Sequence, residues 1–179
     1  MKRILLISLL FFFFLVPVAF ANVEITQSEP TPTPIDYQLP YPGLLPDNPL
    51  YFLKVLRDRL ITFLIADPLK KAEFNLLQAD KHAATAVALF VRNKQDMGES
   101  AISKGENYFE AGITTLRDAK KQGMDTKPLL QRFALSVKKH QELVERLLGM
   151  ASGNVKKQLT ISQQRISVFE EQVNELGKE

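Results

Sequence analysis

From Pro68 onward one pattern recurs four times: apolar or small side chains at alternating steps of three and four. Leu69, Ala72, Leu76, Ala79, Ala83, Ala86 and Phe90 make the first set, and Ile102, Gly105, Phe109, Gly112, Leu116 and Ala119 the second. Leu130, Phe133, Val137, His140, Val144 and Leu147 follow, then Val155, Leu159, Ser162, Ile166, Phe169, Val173 and Leu176. Such steps keep every member on one side of an α-helix, whereas a strand needs a period of two. Four helices of similar length with short connections pack as antiparallel neighbours. The expected fold is therefore all-α: an antiparallel bundle of four long helices plus a shorter N-terminal amphipathic helix. In the second set small residues alternate with large ones, which lets two backbones approach closely.

Local signals punctuate these helices. In "LLPDNPLYFLK" (Leu44 to Lys54), Asp47 or Asn48 is placed to cap a helix whose first position is Pro49. Asp67 and Pro68 repeat the device, for a helix running to about Lys94. Asp96-Met97-Gly98-Glu99 reads as an acidic variant of a capping box. Gly123 fits a helix stop, Thr126 and Pro128 a start, and Gly149 to Asn154 a turn. Between Leu50 and Ala66, one helical face carries Phe52, Leu53, Leu56, Leu60, Phe63 and Leu64, and the other Lys54, Arg57, Asp58 and Thr62. The apolar face is expected to pack inward. Ile61 and Ile65, at the polar edge, and Tyr51 are the candidate partner contacts.

The first residues are of another kind. Met1-Lys2-Arg3, an apolar run from Ile4 to Val16, and Pro17 before Ala19-Phe20-Ala21 describe a signal peptide over 1–21. Cleavage is expected after Ala21, so that the mature chain begins at Asn22. The rival is an uncleaved anchor, since Ile4 to Val23 is long enough to cross a bilayer. Either way the chain is expected to be extracytoplasmic. Residues 22–46, dense in proline, read as an extended linker, and 47–179 as the helical domain.

Composition and motifs narrow the chemistry. The chain has no cysteine, which removes disulfides, thiolate metal sites and a lipid-modified cysteine. Without Lys2 and Arg3, 21 basic residues face 20 acidic ones. Near balance gives no electrostatic case for nucleic acid. Residues 79 and 137, three before His82 and His140, are alanine and valine, so the Glu-x-x-His pairs of carboxylate di-iron bundles do not occur. No residue is assigned a catalytic, cofactor-binding or metal-ligating role, and an enzyme is not expected. His140, at a seam position, reads as a core-edge histidine bonded to a neighbour. His82, beside Asp80, reads as solvated. "LTISQ" (Leu159 to Gln163) is similar to a Leu-Thr-x-x-Gln motif that small periplasmic stress chaperones carry twice near helix starts. Here it occurs once, in mid-helix.

"LLPDNPLYFLKVLRDRL" followed by "DPLKKAEFNLLQADKHAATA" resembles the exported helical family termed domain of unknown function 5667. The matching positions are Pro46, Asp47, Asn48, Pro49, Tyr51, Phe52, Leu53 and Lys54, then Asp67, Pro68, Lys70, Lys71, Ala72 and Glu73. "KKHQELVERLL" (Lys138 to Leu148) is similar to the family's His-then-leucine helix. Lys81 to Ala86 departs from the family's more acidic continuation. The resemblance implies an extracytoplasmic helical domain without an established activity.

The expected function is a non-catalytic protein–protein interaction or structural module of the cell envelope. Its partner would be an envelope protein or a second copy. Membrane contact would come only through an uncleaved anchor or weakly through Leu50 to Ala66. The alternative is a chaperone-like stress protein that cradles unfolded exported chains.

Overall fold

The computed structural model describes residues 35–178, among which there are five α-helices and no strand. They are α1 (Tyr51–Leu64), α2 (Pro68–Val91), α3 (Gln95–Lys121), α4 (Lys127–Met150) and α5 (Gly153–Lys178). The expected signal peptide, its cleavage positions Ala19, Ala21 and Asn22, and the linker as far as residue 34 lie outside the described residues.

The four long helices are those that the spacing predicts. α2 packs on α3, α4 on α5, α3 on α5 and α2 on α4. Their seams meet in one core, where Phe109 stands edge-on to Phe133, centroids 5.3 Å apart, and stacks on Phe169 at 5.4 Å. All seven seam residues of α5 are buried. The glycines of α3 do what their spacing implies. A Cβ at Gly112 would lie 2.8 Å from Phe133 Cζ, and one at Gly105 would lie 3.1 Å from His82 Cβ. Only a residue without a side chain lets α3 come this close.

Helix ends agree with the sequence in part. Asp67 accepts a hydrogen bond from the Lys70 N–H at 3.0 Å, with Pro68 at the first position of α2. α2 ends at Val91, short of Lys94, because Asn93 adopts φ +57° and the Lys94 N–H turns back to the Leu89 carbonyl. Gly123, at φ +77°, closes α3 as expected. Two proposed caps are not made. Asp47 pairs instead with Arg92 (3.1 Å) and Lys94 (2.8 Å), the cations just past the end of α2. Asn48 accepts from the Leu50 N–H, and α1 begins after Pro49, at Tyr51. α3 begins at Gln95 without a side-chain cap, so Asp96 lies inside its first turn, where a carboxylate meets the positive helix end.

The described part of the expected linker is not free. The Ile35 N–H donates to Glu142 of α4, the Tyr37 hydroxyl to Asp80 of α2, and Leu45 is buried. Proline denies this segment a ladder partner, but side chains can still fasten an extended backbone. Residues 35–49 form a strap against the helices.

The largest departure is α1. The residues expected to share a face do share it, but that face is turned outward. Phe63 is 86% exposed and Leu64 75%, while Lys54 and Asp58 on the opposite side are 8% and 5% exposed. The cause lies in what the helix rests on. Across the cleft beneath α1 stand His82, Lys104, Asn107 and Tyr108, a polar flank that suits the polar side of the helix. Lys54 Nζ also donates to the strap carbonyls of Pro42 (2.8 Å) and Leu44 (3.4 Å).

Candidate docking face and buried polar sites

At about 100° per residue, Phe52, Phe63, Leu56, Leu60, Leu53 and Leu64 occupy an arc of about 120° around α1. All six are at least half exposed. Arg59 stands about 20° beyond one edge of the arc and Arg57 about 20° beyond the other. Both arginines are exposed, Arg57 reaching back to pair with the buried Asp58 at 2.7 Å. Scattered exposed leucines are ordinary, whereas a continuous apolar stripe marks a contact surface. Covering it would contribute on the order of 5 kcal/mol at roughly 1 kcal/mol for each half-exposed side chain. Tyr51, Ile61 and Ile65 lie on the other side of α1, half-buried beside Val55 and Thr62. The structure thus separates the sequence's candidate contacts from the exposed apolar surface.

Beneath α1 a cleft of about 290 Å³ is lined by Tyr51, Val55, Asp58, Arg59, His82, Lys104, Asn107 and Tyr108. His82 is not solvated as expected: it is 8% exposed, stacked on the Tyr108 ring at 5.5 Å, and its Nδ1 has no protein partner. Tyr108 and Gly105 of α3 pack against it, and Tyr51 of α1 lines the same cleft. Burial, reinforced by the charges of Lys54 and Lys104 and opposed by Asp58, lowers the His82 pKa to about 4. The imidazole is neutral at physiological pH.

A second polar cluster lies between α2 and α4. Ser136 Oγ donates to Asp80 Oδ1 at 2.6 Å, His140 Nε2 donates to the same oxygen at 3.0 Å, and the Tyr37 hydroxyl donates to Oδ2 at 2.6 Å. Asp80, Ser136 and His140 are all buried. Burial and the Asp80 charge raise the Tyr37 hydroxyl pKa. Serine, histidine and aspartate meet here, but Ser136 and His140 both address the carboxylate. The serine hydroxyl has the carboxylate rather than the imidazole at its oxygen and, being fully buried, offers no path to a substrate. The cluster is a hub that ties strap, α2 and α4 together. His140 is the hydrogen-bonded core-edge residue that its seam position predicts. Asp80 and Tyr37 were not singled out by sequence reasoning. The available signal was Ser136 and His140 at i and i+4, which puts two polar groups on an otherwise apolar seam.

Between α3 and α5, Arg165 donates to Glu106 (3.2 Å), Asn107 (2.9 Å) and Glu110 (2.6 Å). Glu106 is 4% exposed and its Oε1 has no protein partner. No group of three or more His, Asp or Glu side chains suited to a metal gathers among the described residues.

The family model for domain of unknown function DUF5667 matches residues 43–176, well over half of the chain. The chain belongs to this family. The DUF5667 match runs from the strap into α5, so the outward apolar face of α1 and both buried clusters fall within it, apart from Tyr37. No curated protein matches the chain, and neither does any solved structure.

Proposed function

We propose that this DUF5667 chain is a non-catalytic, extracytoplasmic module of the cell envelope that works by docking. Its four long helices form an antiparallel bundle, and α1 is the element that meets the partner. The observation that carries this reading is the outward apolar face of α1. A fold that only had to be stable would turn six large apolar residues inward. Polar contacts support it: Tyr37 fastens the strap to Asp80, and Lys54 fastens α1 to the strap carbonyls of Pro42 and Leu44. A chaperone cradle would call for apolar exposure spread over a concave surface, whereas a helical stripe is narrow and convex.

Photo-cross-linking in intact cells tests the proposal, with a reactive residue at Leu60 or Phe63 in one pair of strains and at Ile61 or Ile65 in another. Adducts from the first pair to one dominant species are expected, with only internal adducts from the second. Many heterogeneous adducts that increase under unfolding stress would favour the chaperone. Absence of external adducts from all four would overturn the docking reading.

A further inference from the structure

The groups that border the outer face of α1 narrow its occupant. We infer that this face docks on an anionic lipid surface, with α1 lying in the plane of the headgroups; the inference rests on the reading of that face as the docking site. Two features point to lipid. The helix, 14 residues long, presents an apolar stripe flanked on both sides by arginine, the arrangement of a helix lying at a membrane interface. Arginine stems can follow the apolar surface while their guanidinium groups stay among phosphates. The only acid of α1, Asp58, is turned inward and 5% exposed, where it pairs with Arg57, so no carboxylate of α1 faces outward and the guanidinium of Arg59 is left without an acid on its own helix.

Charge also separates the occupants. A second copy docked through the same face would bring Arg57 and Arg59 of both chains together, with no outward acid on either α1 to balance them. A protein partner would need an apolar groove with an acidic rim along both sides. An anionic bilayer supplies both features at every point of its surface. No described helix is long and apolar enough to cross a membrane, so the contact is one of lying on the surface.

The test uses the full chain, and a reporter on α1 keeps any contribution of the N-terminal residues separate. The chain contains no tryptophan, so Phe63→Trp provides a single indole. It is mixed with vesicles of phosphatidylglycerol and phosphatidylcholine, or of phosphatidylcholine alone, each carrying brominated acyl chains. Blue-shifted, quenched emission is expected with the anionic vesicles and much less with the neutral ones. Adding Arg57→Gln and Arg59→Gln should raise the lipid needed for half-maximal quenching about 30-fold, from about fivefold per cation. Adding Leu56→Ser and Leu60→Ser should abolish quenching.

Equal quenching by neutral vesicles would overturn the anionic assignment. Absence of quenching by either vesicle, with cellular cross-links from Leu60 to one protein, would overturn the lipid surface but leave the docking reading standing. Absence of both would overturn the two together.

Discussion

Asp80 is the residue on which most of the polar architecture converges. It accepts from Tyr37 on the strap and from Ser136 and His140 on α4 while itself 3% exposed. Asp80→Ala should cost about 3 to 5 kcal/mol in urea denaturation, because it strands the buried donors Ser136 and His140 together with the half-buried Tyr37 hydroxyl. Ser136→Ala should cost only about 1 kcal/mol, since the carboxylate keeps two donors. His82 makes a different prediction, one of pH. Its folded pKa of about 4 lies below the ordinary 6.5, so folding favours the neutral ring. That contribution is whole above pH 6.5 and is lost as pH falls toward 4. Stability should drop by about 3 kcal/mol across this window. The groups facing the ring are Lys54 and Asp58 from α1 and Lys104 from α3. Denaturation midpoints of His82→Phe, which keeps a ring against Tyr108, should vary less with pH over that window than those of the wild type. An unchanged slope would assign the loss to another group.

At the scale of elements, one substitution should act with opposite signs in two helices. Gly149 of α4 is exposed, with open space where a Cβ would stand, so Gly149→Ala should stabilise by about 0.5 to 1 kcal/mol. Gly112→Ala places its methyl 2.8 Å from Phe133 Cζ, inside a ring that is fully buried. Overpacking should outweigh propensity there, for a net loss of about 1 to 2 kcal/mol in thermal or chemical melts. The same contrast shows how far the elements were legible. Seams of three and four located the core-facing residues of α2 to α5, because most of their outer positions are polar and leave one way to face. In α1 the period put the right residues together on one face and not the direction of that face. Direction depends on what lies beneath, and the polar flank of His82, Lys104, Asn107 and Tyr108 is contributed by two other helices. Caps were legible where one side chain had one task, as at Asp67. Asp47 escaped because Arg92 and Lys94, 45 and 47 residues away in sequence, compete for it.

For the whole molecule, these particulars describe a stable helical core that carries an outer layer of strap and α1. The core is apolar and ordinary, whereas the outer layer is fastened by polar contacts: Tyr37 to Asp80, Ile35 to Glu142, Asp47 to Arg92 and Lys94, and Lys54 to the strap carbonyls. Polar fastening leaves the apolar side of α1 free for a partner. No motif in the sequence announced this candidate site, because its signal is a conflict between pattern and placement that exists only after folding. The most direct test of the account is thiol accessibility along α1. The chain lacks cysteine, so single substitutions report one position each. Leu56→Cys, Leu60→Cys and Asp58→Cys would be treated with a maleimide under native conditions and after denaturation. An outward apolar face predicts rapid native labelling at 56 and 60 and strong protection at 58. Protection at 56 and 60 with rapid labelling at 58 would show that the apolar side packs inward, and would remove the docking face.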